Sequence, residues 1–266
     1  MQLTKTDLAA LSRIAIEAAT QAGALIRGYT GKDVTVSKKA TGSNYTAQVV
    51  TEVDLKSQEL ILKHIAPTCA RYDLGLLCEE GADDLSRLRK DYFWCIDPLD
   101  GTLQFVEGRP GYAVSIALVS RDGRPQLGVV YDPVKETLYH ALKDGGAFRN
   151  NREWRLKVDP GAATASIKDG GAVMNGCWVL ERTAACFGKK PKPEQGGGCL
   201  WDYAAIACLF EQMGAWVSDS FGQPLELNRR DSLFMNHKGV LFASSQHIAR
   251  EKIDTLSRFP PGGQDQ

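Results

Sequence analysis

Hydrophobic residues near the N-terminus recur every three or four positions, a spacing typical of amphipathic helices. The first such stretch covers residues 7–29, with Thr6 or Asp7 as its N-terminal cap. A second stretch, DLKSQELILKHIAP, begins near Asp54 and is predicted to end before Pro67, because helices commonly stop ahead of a proline. The residues of this second helix that we expect to face a core are Leu55, Leu60, Ile61 and Ile65.

The middle of the chain alternates short apolar runs with turn residues, a pattern typical of β-strands. The connections RDGRP and DPVKE are short and favour antiparallel pairing of the strands that they join. The polar residues 32–48, which precede the second helix, are predicted to form a loop or an irregular hairpin. The predicted strands are 74–80, 92–97, 112–120, 126–133 and 137–142.

The last third of the chain alternates strands and helices. It predicts helices at 201–213 and 245–258 and strands at 215–219 and 239–244. Residues 187–198, rich in glycine and lysine, are predicted to be a flexible loop over a site, and the final GGQDQ is expected to be disordered. We therefore expect an α+β N-terminal lobe over residues 1–150, with two helices on an antiparallel sheet, and an α/β lobe over residues 151–266.

Composition and charge narrow the class of protein. The 266 residues contain 32 basic and 32 acidic side chains, so nothing indicates capture of a nucleic acid polymer or of a membrane surface. Seven scattered cysteines without a CxxC pair are typical of reduced thiols, which indicates a cytoplasmic protein. The chain has no apolar run of about 18 residues and its N-terminus lacks the apolar region of a signal peptide, so we expect no membrane insertion.

Acidic residues cluster at four places where a predicted element begins or ends: VTEVD (50–54), CEE (78–80), DPLDGT (97–102) and LWDYAA (200–205). Each cluster has an ordinary explanation by itself. Asp54 and Asp202 suit the first turn of a helix, and Glu79 and Glu80 suit a solvated loop. The residues of DPLDG are also those that a plain turn requires.

Taken together, the clusters favour a different interpretation. Asp97, Asp100 and the Leu99 carbonyl can direct three oxygens to one side of a tight turn, and hard divalent cations take oxygen ligands. Gly101 allows a close approach of the backbone to a ligand, and the amides of Gly101 and Thr102 offer donors to an anion. This chemistry favours Mg²⁺ or Mn²⁺ assisting hydrolysis of a phosphate ester, rather than zinc.

The same motifs resemble those of the inositol monophosphatase superfamily. WCIDPLDGT resembles its first signature and LWDYAA its second, and VTEVD and LLCEE resemble its other two acidic motifs, in the family's order. The resemblance implies a layered αβαβα sandwich of the inositol monophosphatase and fructose-1,6-bisphosphatase type. It also implies a phosphoric monoester hydrolase that uses two or three Mg²⁺ ions, with Mn²⁺ as a substitute.

The resemblance assigns metal ligands position by position. It implies that Glu79, Asp97 and the Leu99 carbonyl hold one ion, and that Asp97, Asp100 and Asp202 hold a second. Asp97 would then bridge the two ions.

The resemblance also assigns the catalytic groups. Thr102, paired with Asp54, is implied to orient and deprotonate the attacking water, close to the metal ligand Glu79, while the amides of Gly101 and Thr102 bind the phosphate. Glu80 is either a partner that orients a metal ligand or a surface charge.

The substrate is less well defined. The run LNRRDSLFMNH resembles the 3′(2′),5′-bisphosphate nucleotidase branch. Inositol phosphatases of the family carry a substrate-binding carboxylate about seven residues before the last metal aspartate, where this chain has Gln195, with Glu194 one position earlier. We therefore take Glu194 and Arg229 as candidate substrate contacts. The cluster of Lys189, Lys190 and Lys192 either meets a second phosphate or is a solvated basic loop.

The favoured function is hydrolysis of 3′-phosphoadenosine 5′-phosphate to AMP and phosphate, inhibited by lithium. An inositol-1-monophosphatase is the alternative, and a non-catalytic protein that binds a phosphate ligand is a remote one. A structural calcium loop at DPLDG does not account for the other three acidic clusters. The partner is thus expected to be a small-molecule phosphate ester, and resembling proteins are commonly homodimers.

Overall fold

The first helix, α1 (Lys5–Tyr29), begins two residues earlier than predicted. Thr4, rather than Thr6 or Asp7, is its cap: the Thr4 hydroxyl accepts from the Asp7 amide at 3.1 Å, and the Asp7 carboxylate accepts from the Thr4 amide at 2.9 Å. This reciprocal pair satisfies two backbone donors that the helix itself leaves unpaired. These details come from a computed structural model, which describes residues 2–32, 34–38, 49–159 and 161–258.

A short antiparallel pair of strands, β1 (Val36–Lys38) and β2 (Val49–Thr51), leads into α2 (Glu52–Tyr72). Most of the predicted loop or hairpin at 32–48 lies outside the described residues, as does the C-terminal GGQDQ. The predicted end of α2 before Pro67 is wrong. Proline removes one backbone donor, but the helix continues to bury Thr68 and Tyr72.

The predicted apolar face of α2 is correct only in part. Ile61 and Ile65 are fully buried and Leu60 is half-buried, whereas Leu55 is 55% exposed. Val53, Ser57 and Tyr72 are buried as well, so the face of the helix that meets the core is shifted from the predicted one.

Seven strands form the larger sheet, in the order of the chain. Five of them match predicted strands. The antiparallel pairing predicted across RDGRP and DPVKE is confirmed. The predicted antiparallel sheet nevertheless contains one parallel pair, its first two strands, which are connected through α3 (Ser86–Arg89). The strands are β3 (Gly75–Cys78), β4 (Tyr92–Asp100), β5 (Ala113–Ser120), β6 (Pro125–Asp132), β7 (Thr137–Leu142), β8 (Gly146–Arg149) and β9 (Arg152–Glu153), with α4 (Thr102–Val106) after β4.

Four strands form the smaller sheet, in the order β10 (Ala165–Ser166), β11 (Ala185–Lys189), β13 (Val240–Ala243) and β12 (Trp216–Ser218). The predicted loop at 187–198 therefore begins inside a strand. Three helices accompany this sheet: α5 (Ala172–Leu180), which was not predicted, α6 (Leu200–Met213) and α7 (Gln246–Arg258).

The elements stack in five layers. Helices α1 and α2 cover one face of the larger sheet, α5 and α6 lie between the two sheets, and α7 packs on the far side of the smaller sheet. The αβαβα sandwich expected from the resemblance is confirmed. The larger sheet ends at Glu153 and the smaller begins at Ala165, but the core between them draws residues from both, so the division into lobes at residue 150 stays a prediction.

Helix α6 lies directly on the larger sheet because β6 carries a glycine at the contact. A Cβ atom at Gly128 would overlap the carbonyl of Ala205. This close approach places the first turn of α6 beside the ends of β4 and β5, where the acidic clusters lie. Among the described residues, no helix is both long enough and apolar enough to span a membrane.

Candidate metal and phosphate site

An irregularity at the end of β4 presents two aspartates together. Asp97 pairs with Ser115 and Asp100 with Ala113, and the register of β4 shifts between these two pairs. The Leu99 amide donates to Asp97 Oδ1 at 3.0 Å, which closes the turn. Both aspartates are buried, with 1% and 6% of their surface exposed. A strand bulge of this kind commonly redirects side chains next to a functional site.

Asp202 reaches the same place from α6. It is the third residue of the helix, and its Oδ2 accepts from the Cys199 amide at 2.5 Å. One carboxylate oxygen from each of Asp97, Asp100 and Asp202 lies within 4.8 Å of the others. The helix-capping role considered for Asp202 and its role in the cluster are therefore compatible.

Glu79 joins the cluster from the end of β3. Its amide donates to the Ile96 carbonyl at 3.1 Å, which extends the pairing of β3 with β4 by one residue. Its side chain lies within hydrogen-bonding reach of Asp97, which is also within reach of Asp202. The structure thus brings together the four carboxylates that sequence analysis named as metal ligands.

The electrostatics of these carboxylates favour a bound cation. Burial raises the pKa of Asp97 and Asp100 well above the ordinary value, and the charges of Glu79 and Asp202 add to the effect. Burial, followed by the charge of Glu79, raises the pKa of Asp202 to about 6. Clustered buried carboxylates resist ionisation unless a positive charge neutralises them. Since all donors are oxygens, the residues fit Mg²⁺ or Mn²⁺.

Asp100 has a second set of partners that sequence analysis missed. Its two oxygens accept from the amides of Ala172 and Val173, at 3.1 and 3.0 Å, at the N-terminus of α5. A Cβ atom at Gly171 would overlap the Asp100 carboxylate, so the approach requires glycine. The Gly170–Gly171 pair before an apolar run was the available signal for this helix.

Thr102 and Asp54 form a pair beside the cluster. The Thr102 hydroxyl donates to Asp54 Oδ1 at 2.9 Å and lies 3.1 Å from the Leu99 carbonyl. Asp54 Oδ2 accepts from the Thr51 amide at 2.8 Å and from its hydroxyl at 2.5 Å. Asp54 is 1% exposed, and burial raises its pKa. Asp54 therefore both caps α2 and holds the Thr102 hydroxyl.

Gly101 has a backbone conformation that favours glycine, with φ of +81°. A Cβ atom there would lie 2.7 Å from the Gly111 carbonyl. The turn from β4 into α4 therefore depends on this glycine, which leaves the start of α4 next to the carboxylates.

The predicted substrate contacts are Glu194 and Arg229. Glu194 is exposed in the segment between β11 and α6. Arg229 Nε donates to Asp231 Oδ1 at 3.0 Å and lies 3.8 Å from Glu226 Oε2. Neither of these contacts involves the four carboxylates. The roles of Glu194 and Arg229 stay predictions.

Glu80 and the three lysines of the basic cluster differ in their contacts. Glu80 is held through its backbone, since its amide and carbonyl both bond to the Gln58 side chain, at 3.1 and 3.0 Å. Lys189 ends β11, and its charge lowers the pKa of Asp202. Lys190 is exposed, and the Lys192 amide bonds to the Asn236 carbonyl.

Comparisons with known proteins show the family of this chain. The sequence profile of the inositol monophosphatase family matches residues 7–169. An inositol-1-monophosphatase from Synechocystis is 36% identical over 96% of this chain and 91% of its own length. A 3′(2′),5′-bisphosphate nucleotidase CysQ from Aggregatibacter actinomycetemcomitans is 28% identical, over 85% of this chain and 90% of its own length.

Among solved structures, the extragenic suppressor protein suhB from Bartonella henselae has the same fold. Its TM-score is 0.76 at 24% identity, covering 94% of this chain and all of that chain. The resemblance to this family that the sequence motifs indicated is thus confirmed. The protein belongs to the inositol monophosphatase family and is a metal-dependent phosphatase.

Proposed function

We propose that this protein hydrolyses a small phosphorylated metabolite with Mg²⁺, and that its preferred substrate is a 3′(2′),5′-bisphosphate nucleotide. The observation that carries the proposal is the position of the Thr102 hydroxyl, which donates to the buried Asp54 carboxylate and lies 3.1 Å from the carbonyl of Leu99, between Asp97 and Asp100 in the turn. This position supports a role in proton transfer beside a site that would hold cations.

Glu79, Asp97 and the Leu99 carbonyl would hold one ion, and Asp97, Asp100 and Asp202 a second. When bound, these ions supply positive charge to the phosphate oxygens and lower the pKa of water. Asp100 is already fixed by two amides of α5, and Asp202 by the Cys199 amide, so little side-chain freedom is lost when a cation binds.

Asp54 and Thr102 would handle the proton of the attacking water. The Thr102 hydroxyl donates to Asp54, so its lone pairs face away from that carboxylate and can accept from water. Burial raises the pKa of Asp54, which makes it a stronger base than an exposed aspartate. The amides of Gly101 and Thr102, at the start of α4, would bind the phosphate.

The preference for a second phosphate is supported by Lys189. Its charge acts on Asp202, one of the proposed metal ligands. A cation there favours a substrate with a second anionic group and offers little to an inositol ring. The alternative, inositol 1-phosphate, is favoured by the inositol-1-monophosphatases among the relatives.

The test is phosphate release from 3′-phosphoadenosine 5′-phosphate, inositol 1-phosphate and fructose 1,6-bisphosphate, with and without Mg²⁺ and Li⁺. We expect the bisphosphate nucleotide to give the highest kcat/KM, with dependence on Mg²⁺ and inhibition by Li⁺. A higher kcat/KM for inositol 1-phosphate would overturn the substrate assignment. Binding without turnover of any of the three would instead support the non-catalytic alternative. A cytoplasmic location and a homodimer stay predictions.

A further inference from the structure

Residues 227–235, which we call the strut, are bonded at one end to the segment that carries Glu79 and at the other to the helix that carries Asp202. Both ends are embedded in the core, since Leu227 and Met235 are 1% and 2% exposed. We propose that the strut sets the distance between Glu79 and Asp202, with Arg87 and Asn228 as positioning residues. The proposal rests on the proposed metal-binding function of those two carboxylates.

The bonds at the Asp202 end are backbone pairs. The Leu200 amide donates to the Leu233 carbonyl at 3.0 Å, and the Met235 amide donates to the Gly198 carbonyl at 2.9 Å. Between them, Cys199 and Phe234 form an antiparallel bridge. Cys199 is the residue whose amide holds the Asp202 carboxylate. A shift of the strut at this end would therefore move the cap of α6 and Asp202 with it.

The bonds at the other end involve Arg87, an arginine with only 2% of its surface exposed. Its Nη1 donates to Asn228 Oδ1 at 2.7 Å and to the Arg229 carbonyl at 2.6 Å, and its Nε donates to Asp83 Oδ2 at 2.8 Å. A buried guanidinium is stable only when its donors are paired, so Arg87 depends on the acceptors that the strut provides. The arginine fixes the strut through a side chain and a backbone carbonyl together.

Asn228 uses both ends of its amide. While Oδ1 accepts from Arg87, Nδ2 donates to the Arg87 carbonyl at 3.0 Å and to the Arg121 carbonyl at 2.9 Å. Since one end faces a donor and the other faces carbonyls, only one orientation of the amide fits. Asn228 thus joins the strut, the segment before β4 and the β5–β6 turn at one point.

The segment from Glu79 to Arg87 is fixed along its length. The Glu80 backbone bonds to Gln58 of α2, as described above. The Ser86 hydroxyl accepts from the Leu76 amide at 3.0 Å, and a Cβ atom at Gly75 would lie 2.9 Å from the Arg87 amide. Helix α3 is therefore packed closely against β3, which leads into Glu79, and a displacement of Arg87 would be transmitted to that strand.

The experiment compares metal binding in the parent protein with that in Asn228→Ala. We expect the Kd for Mn²⁺, measured by electron paramagnetic resonance, to rise about tenfold, as for other residues that orient metal ligands. In the metal-free protein, amide hydrogen exchange should accelerate at residues 79–86 and 198–200. Arg87→Lys keeps the charge but loses the planar fork, so it should shift both readouts in the same direction by a smaller factor.

Tyr139→Phe is the matched control. Tyr139 is fully buried and its hydroxyl donates to Glu181 Oε1 at 2.7 Å, a bond that involves no residue of the strut. If Asn228→Ala lowers the melting temperature as the control does but leaves the Kd for Mn²⁺ within twofold of the parent value, the strut is merely structural. If the parent releases no phosphate from any ester yet Asn228→Ala still weakens Mn²⁺ binding, the proposed function fails and the strut proposal stands.

Discussion

The proposed metal-binding side and the proposed substrate-binding side of the site are built in different ways. On the metal side, Asp97 and Asp100 come from one buried turn, and backbone amides hold the carboxylates. On the proposed substrate side, Lys189 is the exposed last residue of β11, and Glu194 is exposed in the segment that follows, which has little regular structure. Buried, over-determined geometry suits a reaction step that tolerates little variation, while an exposed segment can change with the substrate. The predictions below test this contrast.

Asp97→Asn should have the largest effect. The substitution removes the carboxylate shared between both proposed ions, and we expect kcat/KM to fall by about 10³-fold or more. The same variant should be more stable than the parent without metal, because one buried charge is removed from a repelling cluster. Phosphate release checks the fall in kcat/KM, and thermal unfolding without Mg²⁺ checks the gain in stability. Loss of stability together with loss of activity would indicate a misfolded variant rather than a lost ligand.

Thr102→Ala should come next in size. Loss of the hydroxyl between Asp54 and the cluster should lower kcat by about 10²-fold, the usual contribution of a general acid–base group, with a smaller change in KM. Thr102→Ser keeps the hydroxyl and is the matched control, so it should retain most of the activity. Equal losses in both variants would show that the methyl group, and therefore packing, is what matters at this position.

The metal side was also the more predictable side from the sequence. The four acidic clusters lie at element ends, and each was visible from its spacing alone. Their convergence was not, since it needs the parallel pairing of β3 with β4 and the close contact of α6 with Gly128. Those are tertiary features, for which local periodicity has no signal, and only the order of the family motifs indicated them.

The errors in the predicted fold have physical causes. Helix α5 was missed because AVMNGCWVL is buried almost throughout, so it lacks the alternating faces by which a helix is recognised. Pro67 was taken as a helix end because its local cost is large, but burial of the following turn outweighs it. In both cases tertiary packing, rather than local preference, decides the structure.

Lys189→Ala tests the substrate side and should have a moderate effect. We expect KM for 3′-phosphoadenosine 5′-phosphate to rise about fivefold, the size of one solvent-exposed charged contact, with kcat little changed. KM for inositol 1-phosphate should stay within twofold, because it has no second phosphate. Lys63→Ala, which removes an exposed lysine paired with Glu59 on α2, is the control for a general loss of positive charge. A parallel rise in KM for both substrates would show that Lys189 acts through the metal side instead.

The smallest effect concerns stability as a function of pH. The folded-state pKa values of Asp97, Asp100 and Asp202 are raised, that of Asp202 to about 6, so the folded protein binds more protons than the unfolded chain above pH 4. The stabilisation of the folded protein by these protons is complete below the pKa of an aspartate in the unfolded chain. It is lost as the pH rises through the pKa values of the three aspartates in the folded protein. Without metal, the melting temperature should therefore fall by a few degrees between pH 5.5 and 7.5.

His140 opposes this trend, since burial lowers its pKa and favours the folded state at higher pH. The comparison that isolates the cluster is therefore parent against Asp97→Asn, which share His140. The variant should show a shallower fall in melting temperature over the same range, and Mg²⁺ should abolish the fall in the parent, because a bound cation keeps the carboxylates ionised at both pH values. Equal slopes in the two proteins would mean that the four carboxylates do not repel one another in the folded state. The metal side would then differ from the substrate side in its burial and hydrogen bonds but not in its electrostatics.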